Sequence, residues 1–501
     1  MNKDILKSIM AISFVFISLL SASILHDMKS SAKEEAKAKK KEEMNKVYDD
    51  ETYDFGFNLP LLIIDTKGNK VSDTEKLKAY LQVYDSENKL NYIVDDPVIA
   101  SDINIKIRGN STKSFPKKQY SLELVTAKGK GRDEKLLGMS KESDWVLNGP
   151  FADKSLMRNY LIYKTSSNIM EYAPDAKFCE VMVIDDGSDT IKKSHYKGVY
   201  VLIEKIKRDD DRVDIASSQD SNDETSFIIA KNRQKEGDIP LKNYGLETSL
   251  YEHGFNIEYP SKNLTKGKFE YINKYVSEFE RVLYSDKFND PNEGYNKYID
   301  VDTFVDYYII NEFFKNTDAG IFSTNMYKDY NQKMKAGPVW DFNFALGNHT
   351  ESIDQPFEYT GFYMIERTWF GRLMEDLTFA KKVEERYKDL RRTYLSDAFL
   401  VDLIDKTVSH LGDAVDRNFN TWPIYMCNQI NLFRDERDIL QKYENNPQEL
   451  DKFLRNSENL LRSDKGRSTS YEEEITRMKD FIIQRGQWMD ENIDSLTNWA
   501  K

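Results

Sequence analysis

The sequence predicts an α+β protein of two lobes, β-rich toward the N-terminus and mainly α-helical toward the C-terminus, with a cleft between them. Three observations carry this. Segments such as INIKIRGN alternate apolar Ile103, Ile105 and Ile107 with polar residues, the period of a half-buried strand. Turn-rich stretches separate several such segments in the first half of the chain. The second half changes to helical spacing and closes on a helix opened by a Ser470–Glu473 capping box, with Ile475, Met478, Ile482, Met489 and Ile493 at helical intervals.

Taken in order, residues 1–25 carry Lys3 and Lys7 ahead of an apolar run from Ile9 to Leu25, the pattern of a signal peptide or an uncleaved signal-anchor helix. The two are not separable by pattern, and either implies export. Residues 26–54 mix Lys, Glu and Ala and read as a charged tether. Residues 55–100 form an N-terminal β segment that includes LPLLIID, and residues 101–501 form the main domain. Within it, INIKIRGN and KKQYSLELV are strands around a polar loop, and a helix follows from about Asp153. AKFCEVMVIDDG and YKGVYVLIEKI make a hairpin. From Asp209 to Asn263 the chain is polar, with SFIIAKN the one strand-like run. A helix from Phe304 to Asn316 then sets Val305, Ile309 and Phe313 on one face.

Composition narrows the function. Of 501 residues, 40% are hydrophobic and 13% aromatic, enough for a large core. The net charge of -13 argues against general nucleic-acid binding, which needs Lys and Arg to neutralise phosphates. Cys179 and Cys427 are the two cysteines, without a CxxC or Cys/His cluster, and they read as buried thiols. No GxGxxG, Gx4GK[ST] or GxSxG occurs, and the five histidines make no HExxH.

What stands out is polar residues set among apolar ones. Asp318 follows an apolar helix, Asn325 lies in STNMYKDY, and Asp341 sits between Trp340 and Phe342 in GPVWDFNFALGN. The stretch between Asn325 and Asp341 reads as a hairpin turning at Asn331–Gln332, which would return Asp341 toward Asn325. An oxygen-rich Asp/Asn cluster suits a hard divalent cation, while a second carboxylate can orient a proton. A carboxylate enclosed by aromatics needs a cation or several hydrogen bonds. Arg108, Asn110, Lys117 and Lys118 surround the first strand–loop–strand, a candidate phosphate cradle, and Glu204 at a strand end is a partner for one of its lysines.

These blocks, IKIRGNSTKSFPKKQYSLEL, WVLNGPFADKSLMRNYL, GVYVLIEKIKRD, NTDAGIFSTNMYKD and GPVWDFNFALG, occur in the order seen in the CotH family, the spore-coat-protein-H-like atypical protein kinases, which the chain resembles from about Phe55 onward. The resemblance implies a protein-kinase-like two-lobed fold that uses ATP with Mg²⁺ or Mn²⁺ to phosphorylate serine or threonine of an exported, cell-surface or spore-coat protein. It implies Asp318 as the catalytic aspartate, Asn325 and Asp341 as metal ligands, and Lys118, then Lys117, as the phosphate-contacting lysine. Trp340 would stack on adenine. The family's Trp-Asp-Phe-Asp is Trp-Asp-Phe-Asn here, so Asn343 replaces a second acidic metal ligand, keeping an oxygen but losing a charge. Reduced activity, altered metal preference and a pseudo-enzyme are therefore open. Two further readings stand beside the kinase: a non-catalytic surface or coat-assembly protein, and a carboxylate-pair hydrolase of the glycosidase type.

Overall fold

The computed structural model describes residues 56–86, 90–233, 237–241, 254–348, 358–427 and 468–501. The expected signal segment and tether lie outside the described residues. The fold is α+β, with a β-rich N-terminal region and a helical C-terminal region. Seven strands close a barrel: β1 (Leu61–Asp65), β2 (Leu77–Tyr84), β3 (Ile99–Arg108), β4 (Gln119–Val125), β5 (Asp144–Asn148), β6 (Ala176–Ile184) and β7 (Tyr196–Glu204). The order round the barrel is β1-β2-β3-β4-β5-β7-β6, and a parallel β1–β6 pairing closes it. Full closure leaves no exposed strand edge.

Strand periodicity then assigns two faces. Ile103 and Ile105 of β3, Leu122 and Leu124 of β4, and Trp145 and Leu147 of β5 fill the barrel. The alternate residues Val199, Val201 and Ile203 of β7 point outward and pack into the larger core of the C-terminal region. The same alternation sends Arg108, Gln119 and Asn148 outward. Register places them side by side at one end of the barrel, since Arg108 pairs with Gln119 and Tyr120 with Leu147.

Helix α1 (Arg158–Ser166) interrupts the barrel strands and packs beneath them. It begins later than Asp153, whose carboxylate instead accepts from the Arg158 amide of the first turn at 2.8 Å. The C-terminal region contains α2 (Lys266–Leu283), α3 (Val301–Phe313), α4 (Thr368–Met374), α5 (Leu377–Arg391), α6 (Asp397–Leu411), α7 (Ala414–Thr421), α8 (Ile424–Cys427) and α9 (Tyr471–Asn492). Ser470 caps α9 by accepting from the Glu473 amide at 3.1 Å. Glu473 returns its carboxylate to the Thr469 amide at 2.7 Å, one residue beyond the expected box. No helix among the described residues is long and apolar enough to cross a membrane.

The C-terminal region is less purely helical than expected. SFIIAKN forms β8 (Phe227–Lys231), which pairs with β9 (Phe255–Tyr259) and with the hairpin β10 (Thr324–Lys328)–β11 (Lys335–Ala336) in a four-stranded sheet, order β11-β10-β8-β9. All five β8 residues are buried, so this strand lacks the polar alternation that marks a solvated sheet face.

Candidate functional site

The β10–β11 hairpin assembles the site. Its turn has Asn331 at φ 52°, a left-handed conformation that asparagine tolerates. Met326 pairs with Ala336, and the Gly337 amide donates to the Asn325 carbonyl at 2.8 Å. The segment leading to Asp341 therefore runs beside Asn325. The Asn325 Nδ2 donates to the Pro338 carbonyl at 3.0 Å. A carbonyl only accepts, so this bond fixes which end of the amide is nitrogen. Asn325 Oδ1 then faces away, and it accepts no hydrogen bond among the described residues.

Asp341 has φ 61°, and Leu346 (φ 53°), Ser323 (φ 51°) and Lys315 (φ 48°) share the left-handed region on the neighbouring segments. Such backbone costs on the order of 1–3 kcal/mol per residue and gathers at functional sites, where surrounding contacts hold it. Those contacts come from α1. Asn159 and Tyr163 lie four apart on one face. The Tyr163 hydroxyl accepts from the Asp341 amide at 3.1 Å, and Asn159 Oδ1 accepts from the Phe342 amide at 2.7 Å. Tyr163 also stacks on Trp340, ring centres 5.9 Å apart.

Arg108 completes this cluster. Its guanidinium lies 5.6 Å from the centre of the Trp340 ring, within cation–π range. Burial raises the Asp341 carboxyl above its ordinary range, and Arg108 and Asn343 only partly offset this. Burial likewise lowers the Arg108 guanidinium, opposed by Asp341. Asp341 is thus a carboxylate short of positive charge, with one weakened cation near it.

Asn343 is buried, and its Nδ2 donates to Asp341 Oδ1 at 2.5 Å. Its Oδ1 accepts from Asn159 Nδ2 at 3.0 Å. Asp318 lies in the turn after α3, partly exposed. Its carbonyl accepts from the Ile321 and Phe322 amides at 3.1 and 2.7 Å, and its amide donates to Asn316 Oδ1 at 3.3 Å. Gly320 in this turn has φ 80°, and a Cβ there would lie 2.7 Å from that of Arg367. Only glycine suits that combination.

The remaining candidates lie elsewhere. Lys117 is buried and donates to the Val199 carbonyl at 2.6 Å and to Asn418 Oδ1 at 2.7 Å, tying α7 to the barrel. Lys118 donates to the Lys113 carbonyl at 2.8 Å. Asn110 is exposed at the head of the short turn Ser111–Ser114. Glu204 accepts from the Tyr172 hydroxyl at 3.1 Å and the Asp175 amide at 3.0 Å, and burial raises its carboxyl. It pairs with Trp145 on β5, three residues along from Asn148, or roughly 10 Å at strand rise. An open groove of about 750 Å³, lined by Asp65, Lys78, Tyr80 and Asp102 among others, includes none of these candidates.

Three supporting residues escaped the sequence reading. Arg158 donates through Nε to the Ala345 carbonyl at 3.0 Å and so holds the loop after Asp341. Its Nη1 is 2.6 Å from Asp153 and 2.7 Å from Glu474 of α9, all three side chains at most 2% exposed. Asn159 is the third with Arg158 and Glu474. A charged residue and an amide on consecutive positions of a short buried helix were the available signal, since neither group is buried without partners. No group of three or more His, Cys, Asp and Glu that could hold a metal ion occurs among the described residues. Asp341 and Asn325 supply one carboxylate and one amide oxygen, a hard-donor pair that suits Mg²⁺ or Mn²⁺ bound chiefly through phosphate and water.

Comparison with known proteins places the chain in a family. The family described as CotH kinase protein matches residues 105–489, well over half the chain. The inner spore coat protein H of Bacillus subtilis (strain 168) is 22% identical over 372 residues, covering 70% of this chain and 88% of that protein.

Proposed function

The chain belongs to the CotH kinase protein family, and from that premise we propose that it is an atypical protein serine/threonine kinase. In this reading it has a protein-kinase-like two-lobed fold and transfers the γ-phosphoryl group of ATP to an exported or surface protein rich in Ser and Thr. The observation that carries it is that the hairpin runs the segment leading to Asp341 beside Asn325, next to a strained loop held from α1. Asn325 offers an amide oxygen that accepts no hydrogen bond among the described residues, and Asp341 offers an under-neutralised carboxylate. Bound Mg²⁺ or Mn²⁺ supplies the charge that offsets both Asp341 and the phosphates. Asp341 and Asn325 hold that ion. Asp318 orients the attacking hydroxyl and takes its proton. Arg108 adds a fixed positive charge beside Asp341, and Trp340 gives the nucleotide base an aromatic face. Lys118 is the lysine that the family pattern points to for the phosphates, while Lys117 is bonded to Asn418 and Val199.

The test is transfer of labelled phosphate from ATP, with Mg²⁺ and with Mn²⁺, to a Ser-rich protein and to the chain itself. Asp318→Ala and Asp341→Ala should each abolish transfer while leaving the fold intact. Folded wild-type protein that transfers nothing with either metal would sink the proposal.

A second reading is a kinase-like assembly protein without catalysis. Asn343, in place of the acid that the family pattern carries, favours it, as does the relative's name as an inner spore coat protein. Under this reading the chain has a spore-coat or cell-surface location, anchored through residues 1–25 if they are not cleaved. It expects both alanine variants to complement a deletion fully.

A further inference from the structure

The amides around Asp341 form a chain whose direction is set at its far end. The Phe342 amide is a backbone N–H and can only donate, so the atom of Asn159 at 2.7 Å from it must be oxygen. Asn159 Nδ2 is therefore the end that reaches Asn343 at 3.0 Å and Asn148 Oδ1 at 3.3 Å. The Asn343 atom facing Asn159 must then accept and is Oδ1. That leaves Asn343 Nδ2 turned to Asp341 Oδ1. The line continues outward consistently, with Asn148 Nδ2 donating to Gln119 Oε1 at 3.2 Å. Asn148, Asn159 and Asn343 are all at most 8% exposed, so water does not compete for these bonds.

We infer that Asn343 is not a metal ligand but a positioning residue, the last donor of an amide relay that holds the Asp341 carboxylate, and that the centre takes a single divalent cation. This deepens the nucleotide-dependent reading above and rests on it. The Asn343 oxygen is turned onto Asn159 and its nitrogen onto Asp341, so a second cation beside Asp341 would meet an N–H donor there. Asn325 is the opposite case, because the Pro338 carbonyl takes its nitrogen and its oxygen accepts no hydrogen bond among the described residues. Two asparagines that look alike in sequence thus present opposite ends, each set by a backbone group that cannot reverse.

The experiment counts Mn²⁺ bound per chain by electron paramagnetic resonance of the free ion, using the full chain with one equivalent of ATP. Wild type and Asn343→Ala should bind one Mn²⁺, and Asn343→Asp should bind two. Asn159→Asp keeps the acceptor for Phe342 but faces Asn343 with oxygen. It should reverse the Asn343 amide, turn its oxygen to the site, and tighten Mn²⁺ at least tenfold. Asn343→Asp should also melt lower than wild type in EDTA and recover with Mn²⁺, a rescue that a purely structural role would not show. Two Mn²⁺ on wild type, or unchanged count and affinity in both aspartate variants, would overturn the inference while leaving the kinase reading standing. Wild type that takes up neither Mn²⁺ nor ATP would overturn that reading, and this inference with it.

Discussion

Arg158 on α1 and Glu474 on α9 meet at 2.7 Å with neither side chain more than 2% exposed. Arg158 spends its Nε on the Ala345 carbonyl, so the pair links the C-terminal helix to the loop that carries Asp341. Removing one partner of a buried ion pair costs about 3–5 kcal/mol, and because Arg158 keeps Asp153 at 2.6 Å the loss here lies toward the lower end. Glu474→Ala should lose stability of that order in urea unfolding monitored by tryptophan fluorescence. Under the kinase reading, transfer activity should fall in the folded protein as well, because Arg158, left with Asp153 alone, holds the Ala345 carbonyl less firmly.

Glu474 also predicts an acid sensitivity. Burial pushes its carboxyl up, but Lys154 and Arg158 outweigh burial and hold it at about 2, below the ordinary 4.5. A depressed carboxylate contributes stability that is complete above pH 4.5 and is lost as pH falls toward 2. The unfolding free energy of wild type should therefore drop more steeply across that window than that of Glu474→Gln.

Lys117 predicts a slope of the same sign at the alkaline side. Burial pulls its ammonium down from 10.5 to about 7. Between these values the unfolded chain binds more protons than the folded one, so stability rises with pH. Lys117→Met, which preserves most of the buried volume, should flatten the rise between pH 7 and 10. Its KM for ATP should stay within about twofold of wild type, because Lys117 is bonded to Asn418 and Val199 away from the Asp341 cluster.

Asp341 should show a conflict between stability and function. Burial raises its carboxyl, with Arg108 only partly offsetting. A raised carboxyl contributes stability below its unfolded pKa, and this is lost as pH climbs through the folded value. In EDTA at neutral pH, Asp341→Asn should melt above wild type in differential scanning calorimetry. The same variant should lose about a hundredfold to a thousandfold in transfer, the scale expected when one preorganised electrostatic group is removed.

Much of this was legible in the chain. Ile103, Ile105 and Ile107 announced a half-buried strand because β3 has one wet face. The Asn331–Gln332 turn announced the hairpin that brings Asn325 beside the segment leading to Asp341. β8 was weaker, since burial on both faces erases alternation. The supports of the site were not legible, for a physical reason. Arg158 and Glu474 are joined only by tertiary structure, and no local spacing relates them. Asn343 shows another limit. Its sequence position suggested an oxygen ligand, whereas which end of an amide faces a cation depends on neighbours such as Asn159, and those are settled only once the chain has folded.

The role of α9 bears on the order in which the molecule matures. Synthesis runs from the N-terminus, so every barrel strand is complete by Glu204 while α9 is still untranslated. Glu474 and Arg485 both reside on that helix, and Arg485 pairs with the wholly buried Glu312 at 2.5 Å, near the end of the helix that leads to Asp318. Until α9 docks, Arg158 lacks one of its two carboxylates and Glu312 lacks its counterion. A nascent or truncated chain can therefore own a finished barrel and still have no competent centre. Under the kinase reading, transfer should depend on α9, and a chain that stops before that helix should be silent.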